Sequence, residues 1–180
     1  MRNLTAARAA PLITVGPLLE PLVPATRYVL RGGPEVRAAA ESAFGVDIPA
    51  RVCRASAKGD RAALWLGPDE WLLIASEVGS SAGSALSAAL DGRPHSLVDV
   101  SHRQTAFTVS GPQAALLLAA GCPLDLDQSA FPVDMCTRTV LAKAEVVLWR
   151  TAPQAFRVEV FRSFAAYVSR YLAEAARGMN

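Results

Sequence analysis

The feature that most constrains this chain is an internal duplication. Val29-Leu30-Arg31-Gly32-Gly33-Pro34-Glu35 has a counterpart in Phe107-Thr108-Val109-Ser110-Gly111-Pro112-Gln113. In both, a short apolar run meets Gly-Pro, and proline in the first turn of a helix wastes no hydrogen-bond donor. The first helical pattern runs through Val36, Ala39, Ala40 and Phe44 to Gly45, and the second through Leu116 to Ala120 and Gly121. Leu64-Trp65 with its hairpin matches Leu148-Trp149, whose following turn contains Pro153. Two β-α-β-β-α units predict an α+β fold with antiparallel sheet, its halves (27–93 and 94–180) packed into one compact domain. Two copies are too few for a solenoid.

Within this frame, Arg27 to Arg31 reads as a strand. Ala62 to Leu66 and Trp71 to Ala75 flank Gly67-Pro68-Asp69-Glu70, which marks a hairpin. Ala82, Leu86, Ala89 and Leu90 form one face of a helix ending at Gly92. Leu97 to Val109 reads as one long β-rich stretch. Thr139 to Ala142, Glu145 to Trp149 and Phe156 to Phe161 follow as strands. Ser163 is placed to cap a last helix with an apolar stripe of Phe164, Tyr167, Val168, Tyr171 and Leu172. Residues 1–26 predict an extended arm, because Pro11, Gly16, Pro17, Pro21 and Pro24 deny it a helical period. The same breakers interrupt any signal-peptide core, and no run approaches the ~18 apolar residues of a membrane span. A soluble cytoplasmic protein with no membrane partner is expected.

Composition points to protein partners. Hydrophobic residues make up 52% and charged residues 19%, below the roughly 25% charged of an average domain. The surplus apolar surface predicts cover by another chain. A net charge of +2, with scattered arginines and only Lys58 and Lys143, excludes a nucleic-acid footprint. Cys53, Cys122 and Cys136 form no CxxC pair, so neither a disulfide framework nor a zinc knuckle is signalled.

No constellation carries chemistry. Asp99, Ser101 and His102 are close in sequence, but strand alternation would turn His102 away from the other two, and no GxSxG elbow is present. His95 and His102 are the two histidines and lack a cluster at ligand spacing. Asp125 and Asp127 are expected to face solvent beside buried Leu124 and Leu126, and Asp69 and Glu70 to belong to a turn. Gly32-Gly33-Pro34 is too short for a phosphate loop. Trp65, Trp71 and Trp149 are expected in the core or at an interface. Hence no catalytic, cofactor-binding or metal-binding residue is assigned.

Several stretches, in order and spacing, resemble the gamma subunit family of heterotetrameric sarcosine oxidases. They are Val98-Asp99-Val100-Ser101-His102-Arg103, Ser110-Gly111-Pro112, Gly121-Cys122-Pro123-Leu124-Asp125-Leu126, Cys136-Thr137-Arg138-Thr139, Ala142-Lys143-Ala144-Glu145-Val146 and Arg162-Ser163-Phe164-Ala165-Ala166-Tyr167. The resemblance implies a fold similar to the folate-binding domain of aminomethyltransferase and tRNA-modification proteins. It implies a non-catalytic assembly subunit in a complex that oxidatively demethylates sarcosine to glycine, giving hydrogen peroxide and formaldehyde or methylene-tetrahydrofolate. It further implies alpha, beta and delta subunits as partners, with beta in direct contact. FAD, FMN, NAD and zinc would sit on those other chains, and no cofactor on this one. The alternative is a free-standing folate-dependent one-carbon transferase or folate-binding protein.

Overall fold

The computed structural model describes residues 12–15, 18–76 and 81–179. Its elements are β1 (Leu19–Pro21), β2 (Thr26–Gly32), α1 (Pro34–Phe44), β3 (Ala55–Lys58), β4 (Arg61–Gly67), β5 (Glu70–Ala75) and α2 (Ala82–Leu90), then β6 (His95–Asp99), β7 (Gln104–Ser110), α3 (Ala114–Ala119), β8 (Cys136–Leu141), β9 (Ala144–Ala152), β10 (Ala155–Phe161) and α4 (Arg162–Arg177). The strands form two antiparallel sheets, ordered β3-β4-β5-β2-β6 and β8-β9-β10-β7-β1. Written in this way the two orders correspond strand for strand. The duplication is therefore real in three dimensions, and the α+β class with antiparallel sheets holds.

Strand alternation explains the layers. Successive side chains point to opposite faces, and here both faces of each sheet are apolar. In β5, Trp71, Leu73 and Ala75 pack with α1 and α2, while Leu72 and Ile74 face the other sheet. In β9, Val146 and Leu148 pack with α3 and α4, while Val147 and Trp149 face inward. The result is four layers, with helices outside and two sheets face to face. Gly32 and Pro34 start α1 for steric reasons as well. A Cβ on Gly32 would lie 2.5 Å from Val36 Cγ1, and Val36 is fully buried.

The structure departs from the sequence reading in four places. The first unit has one strand more than expected. β3, with the sequence Ala-Ser-Ala-Lys, has little β propensity and is ordered by its register against β4. The stretch Leu97 to Val109 is two strands in different sheets. Between them Asp99 Oδ1 accepts the Ser101 N–H at 2.8 Å, and the Arg103 N–H reaches Val100 O at 3.0 Å. That Asx turn needs neither Gly nor Pro. Ser163 does not cap α4. The helix begins at Arg162 directly out of β10, with no side-chain cap, and the Arg162 N–H is taken by Arg103 O at 2.9 Å. Finally, α3 starts at Ala114 rather than at Pro112, after a turn in which Gly111 adopts φ 113°.

Two edge strands are exchanged between the halves. β1 precedes the first unit yet pairs with β7 of the second, Leu19 opposite Val109 and Pro21 opposite Phe107. β6 precedes β7 yet pairs with β2 of the first, Tyr28 opposite Asp99. Part of the expected arm thus belongs to this chain's own sheet, and Leu19 is fully buried in its core. Among the described residues, no helix is long and apolar enough to cross a membrane.

Candidate functional site

Where the facing sheets diverge, a cleft of about 670 Å³ opens between them. Its walls come from the inward positions of both sheets, including Val29, Val98, Val140 and Val147. Its floor is ionic. Alternation puts Arg27 on the inner face of one sheet and Glu159 on the inner face of the other, each only 1% exposed. Arg27 Nε donates to Glu159 Oε2 at 2.6 Å and Nη2 to Oε1 at 3.3 Å. Arg27 Nη1 also donates to Ala25 O at 2.9 Å. Arg157 Nε reaches the same carboxylate at 2.7 Å. Glu159 is therefore held by two guanidiniums, Arg27 across the sheet–sheet interface and Arg157 on its own strand.

The rim is also charged. Glu70, expected in a turn, opens β5 and pairs with Arg138, which in addition donates to Leu66 O at 3.3 Å. Arg31 lies 4.0 Å from Glu70 and 3.5 Å from Asp69. Arg103 stacks over the Phe161 ring, 5.1 Å from its centroid.

Apart from Asp69 and Glu70, the residues weighed from sequence lie elsewhere or play backbone roles. Ser101 Oγ accepts the Arg27 N–H at 2.9 Å, so its hydroxyl ties the turn to β2. Hydrogen bonds from Ser101 hold the Asp99 carboxyl below its usual range. His102 sits in the exposed turn, not in a strand, and among the described residues its ring has no hydrogen bond to Ser101. His95 is exposed, with Nδ1 2.8 Å from Arg93 O. Asp125 Oδ1 accepts the Asp127 N–H at 2.9 Å, and Asp127 Oδ1 accepts the Ser129 N–H and hydroxyl at 2.8 and 2.6 Å. Those bonds from Ser129 pull the Asp127 carboxyl down.

Trp71 Nε1 donates to Pro49 O at 2.7 Å on the helix side of its sheet, and Trp65 packs against the same core. Trp149 lies in the inter-sheet core. No tryptophan lines the cleft. Burial pushes the Cys136 thiol up to about 12, which leaves it an inert buried group. Among the described residues, no group of three or more His, Cys, Asp or Glu could hold a metal ion.

The cleft residues were missed from sequence, although one signal existed. Arg27 directly precedes the apolar Tyr28-Val29-Leu30 and Glu159 stands between Val158 and Val160, and a charge in that setting is buried only when paired.

Comparisons with known proteins give the family and the fold. The family model described as "Sarcosine oxidase, gamma subunit family" matches residues 31–178. The sarcosine oxidase subunit gamma of Arthrobacter sp. is 40% identical over 139 residues, covering 77% of this chain and 68% of that protein. That of Corynebacterium sp. strain U-96 is 38% identical over 141 residues, covering 77% and 67%. A chain of the heterotetrameric sarcosine oxidase from Corynebacterium sp. U-96, solved with pyrrole 2-carboxylate, superposes with a TM-score of 0.84 at 35% identity, over 89% of this chain and 83% of that one. Aminomethyltransferase T of the glycine cleavage system from Bartonella henselae shares the fold, with a TM-score of 0.66 at 13% identity, over 88% of this chain and 46% of that one. With its duplicated sheets and a match that spans both of them, the chain belongs to the sarcosine oxidase gamma subunit family.

Proposed function

We propose that this chain is a non-catalytic assembly subunit of a heterotetrameric sarcosine oxidase. The assembled enzyme would demethylate sarcosine oxidatively to glycine, releasing hydrogen peroxide and passing on the one-carbon unit as formaldehyde or methylene-tetrahydrofolate. The observation that carries this reading is the family match across residues 31–178. The chemistry of the chain supports its non-catalytic half. The strongest acid–base groups in the cleft neutralise one another, and Ser101 is bonded to backbone rather than to a base. A nucleophile needs its base within hydrogen-bond reach.

The alpha, beta and delta chains would be the partners, with beta in direct contact and the redox cofactors on those chains. Co-expression of all four subunits, with and without this one, tests the reading. Without it, the expected result is loss of the assembled species on size exclusion and loss of sarcosine-dependent peroxide formation. Both should return when the chain is added back. A fully active assembly that lacks this chain, or turnover of sarcosine by this chain alone, would sink it.

A further inference from the structure

We propose that the inter-sheet cleft binds a small organic acid with a flat aromatic body, its carboxylate held by Arg103. Volume sets the size class. About 670 Å³ falls within the ~300–1,000 Å³ typical of small-molecule sites. Shape sets the body. The walls are inward faces of two β-sheets, which pack about 10 Å apart, and most of their apolar side chains are valines. Two flat apolar walls leave a slot that suits a planar ring.

Charge sets the sign. Three guanidiniums line the cleft (Arg31, Arg103 and Arg138) beside three carboxylates (Glu70, Glu145 and Glu159), and Arg27 and Arg157 neutralise the last of these from outside the lining. Arg31 and Arg138 each have a carboxylate within 4.0 Å. Among the described residues Arg103 has none, and its guanidinium meets only the Phe161 ring. A guanidinium stacked on an aromatic face keeps its in-plane donors for an oxyanion.

Polar specificity is available next to it. Gln104 also lines the cleft, and its Oε1 is buried without a hydrogen-bond partner among the described residues. A rotation of the Gln104 amide that turned this oxygen into the cleft would offer a ligand N–H an acceptor and relieve the cost of an unpaired buried group. Glu145, exposed at the mouth, could take a second N–H. The ligand class is thus an amino-substituted aromatic carboxylate.

The test uses 6-amino-2-naphthoate as a fluorescent probe of that class, titrated into the full chain and read by anisotropy. Saturable binding is expected, and the neutral 6-amino-2-naphthamide should bind at least tenfold more weakly. Arg103→Ala should cost at least tenfold in affinity. Val140→Trp, a change at an exposed position in the mouth, should block the slot. Arg93→Ala, far from the cleft, should leave binding unchanged, and melting curves report whether each variant is folded. Absence of saturable binding, equal binding of acid and amide, or undiminished binding by Arg103→Ala would overturn the proposal. The same titration on the co-purified assembly should retain binding. Its loss there would mean that a partner chain fills the cleft, which also overturns it.

Discussion

Glu159 carries more consequence than any other single side chain in the inter-sheet layer. Its carboxylate is fully buried and bonded to Arg27 and Arg157. Removing one partner of a buried ion pair strands the other charge, which costs about 3–5 kcal/mol, whereas replacing both with apolar groups is often nearly neutral. Glu159→Gln should therefore lower the unfolding free energy by about that amount in urea titrations. The triple variant Arg27→Met/Arg157→Met/Glu159→Leu, which strands neither guanidinium, should recover most of the loss. Cys136 gives a second residue-scale prediction. Its thiol is raised to about 12 in the folded state, chiefly by burial, against roughly 8.5 in an unfolded chain. The stability held by the neutral thiol is complete below about pH 8.5 and falls as pH rises towards 12, because the unfolded chain releases the proton first. Unfolding measured at pH 8 and pH 10.5 should show a smaller alkaline loss for Cys136→Ala than for the parent. Iodoacetamide should label partly exposed Cys53 well before Cys136 in the folded protein.

At the scale of elements, β1 decides whether the N-terminal residues are an appendage or part of the fold. Leu19 is fully buried and opposite Val109, so Leu19→Ala should cost about 2–5 kcal/mol, as a core leucine does. A surface position in an arm would change by less than about 0.5 kcal/mol. Thermal or urea denaturation distinguishes the two. The sequence could not reveal β1, because Leu-Glu-Pro is too short and too proline-rich to read as a strand, and its pairing lies 90 residues away. By contrast, β2, β5, β10 and α1 were legible. Their apolar runs, the Gly-Pro helix start and the αL Gly45 at the helix end are local signals. β3 was illegible for the opposite reason, since its small residues depend on β4 for order. The break at Ser101 was hidden because an aspartate side chain closes the turn. Arg27 and Glu159 could be placed on a strand face from sequence parity. Their meeting across 132 residues depends on how two sheets pack, which no local pattern records.

At the scale of the molecule, the reciprocal edge strands make the two halves mutually dependent. The first sheet is completed by β6, which a cut after residue 93 leaves on the second fragment. The second sheet is completed by β1, which the same cut leaves on the first. Each fragment alone would expose an unpaired sheet edge, the inner apolar face and half of the Arg27–Glu159 pair. Open edges and exposed apolar faces lead to aggregation rather than to a stable fold. Fragments 1–93 and 94–180 should therefore each lack dispersed amide signals in NMR spectra when expressed alone. Co-expressed, they should form a 1:1 complex with a cooperative melt, since every missing strand is then supplied. A fragment that folds by itself would show that the exchanged strands are dispensable, and that the duplication left two autonomous units rather than one interlocked domain.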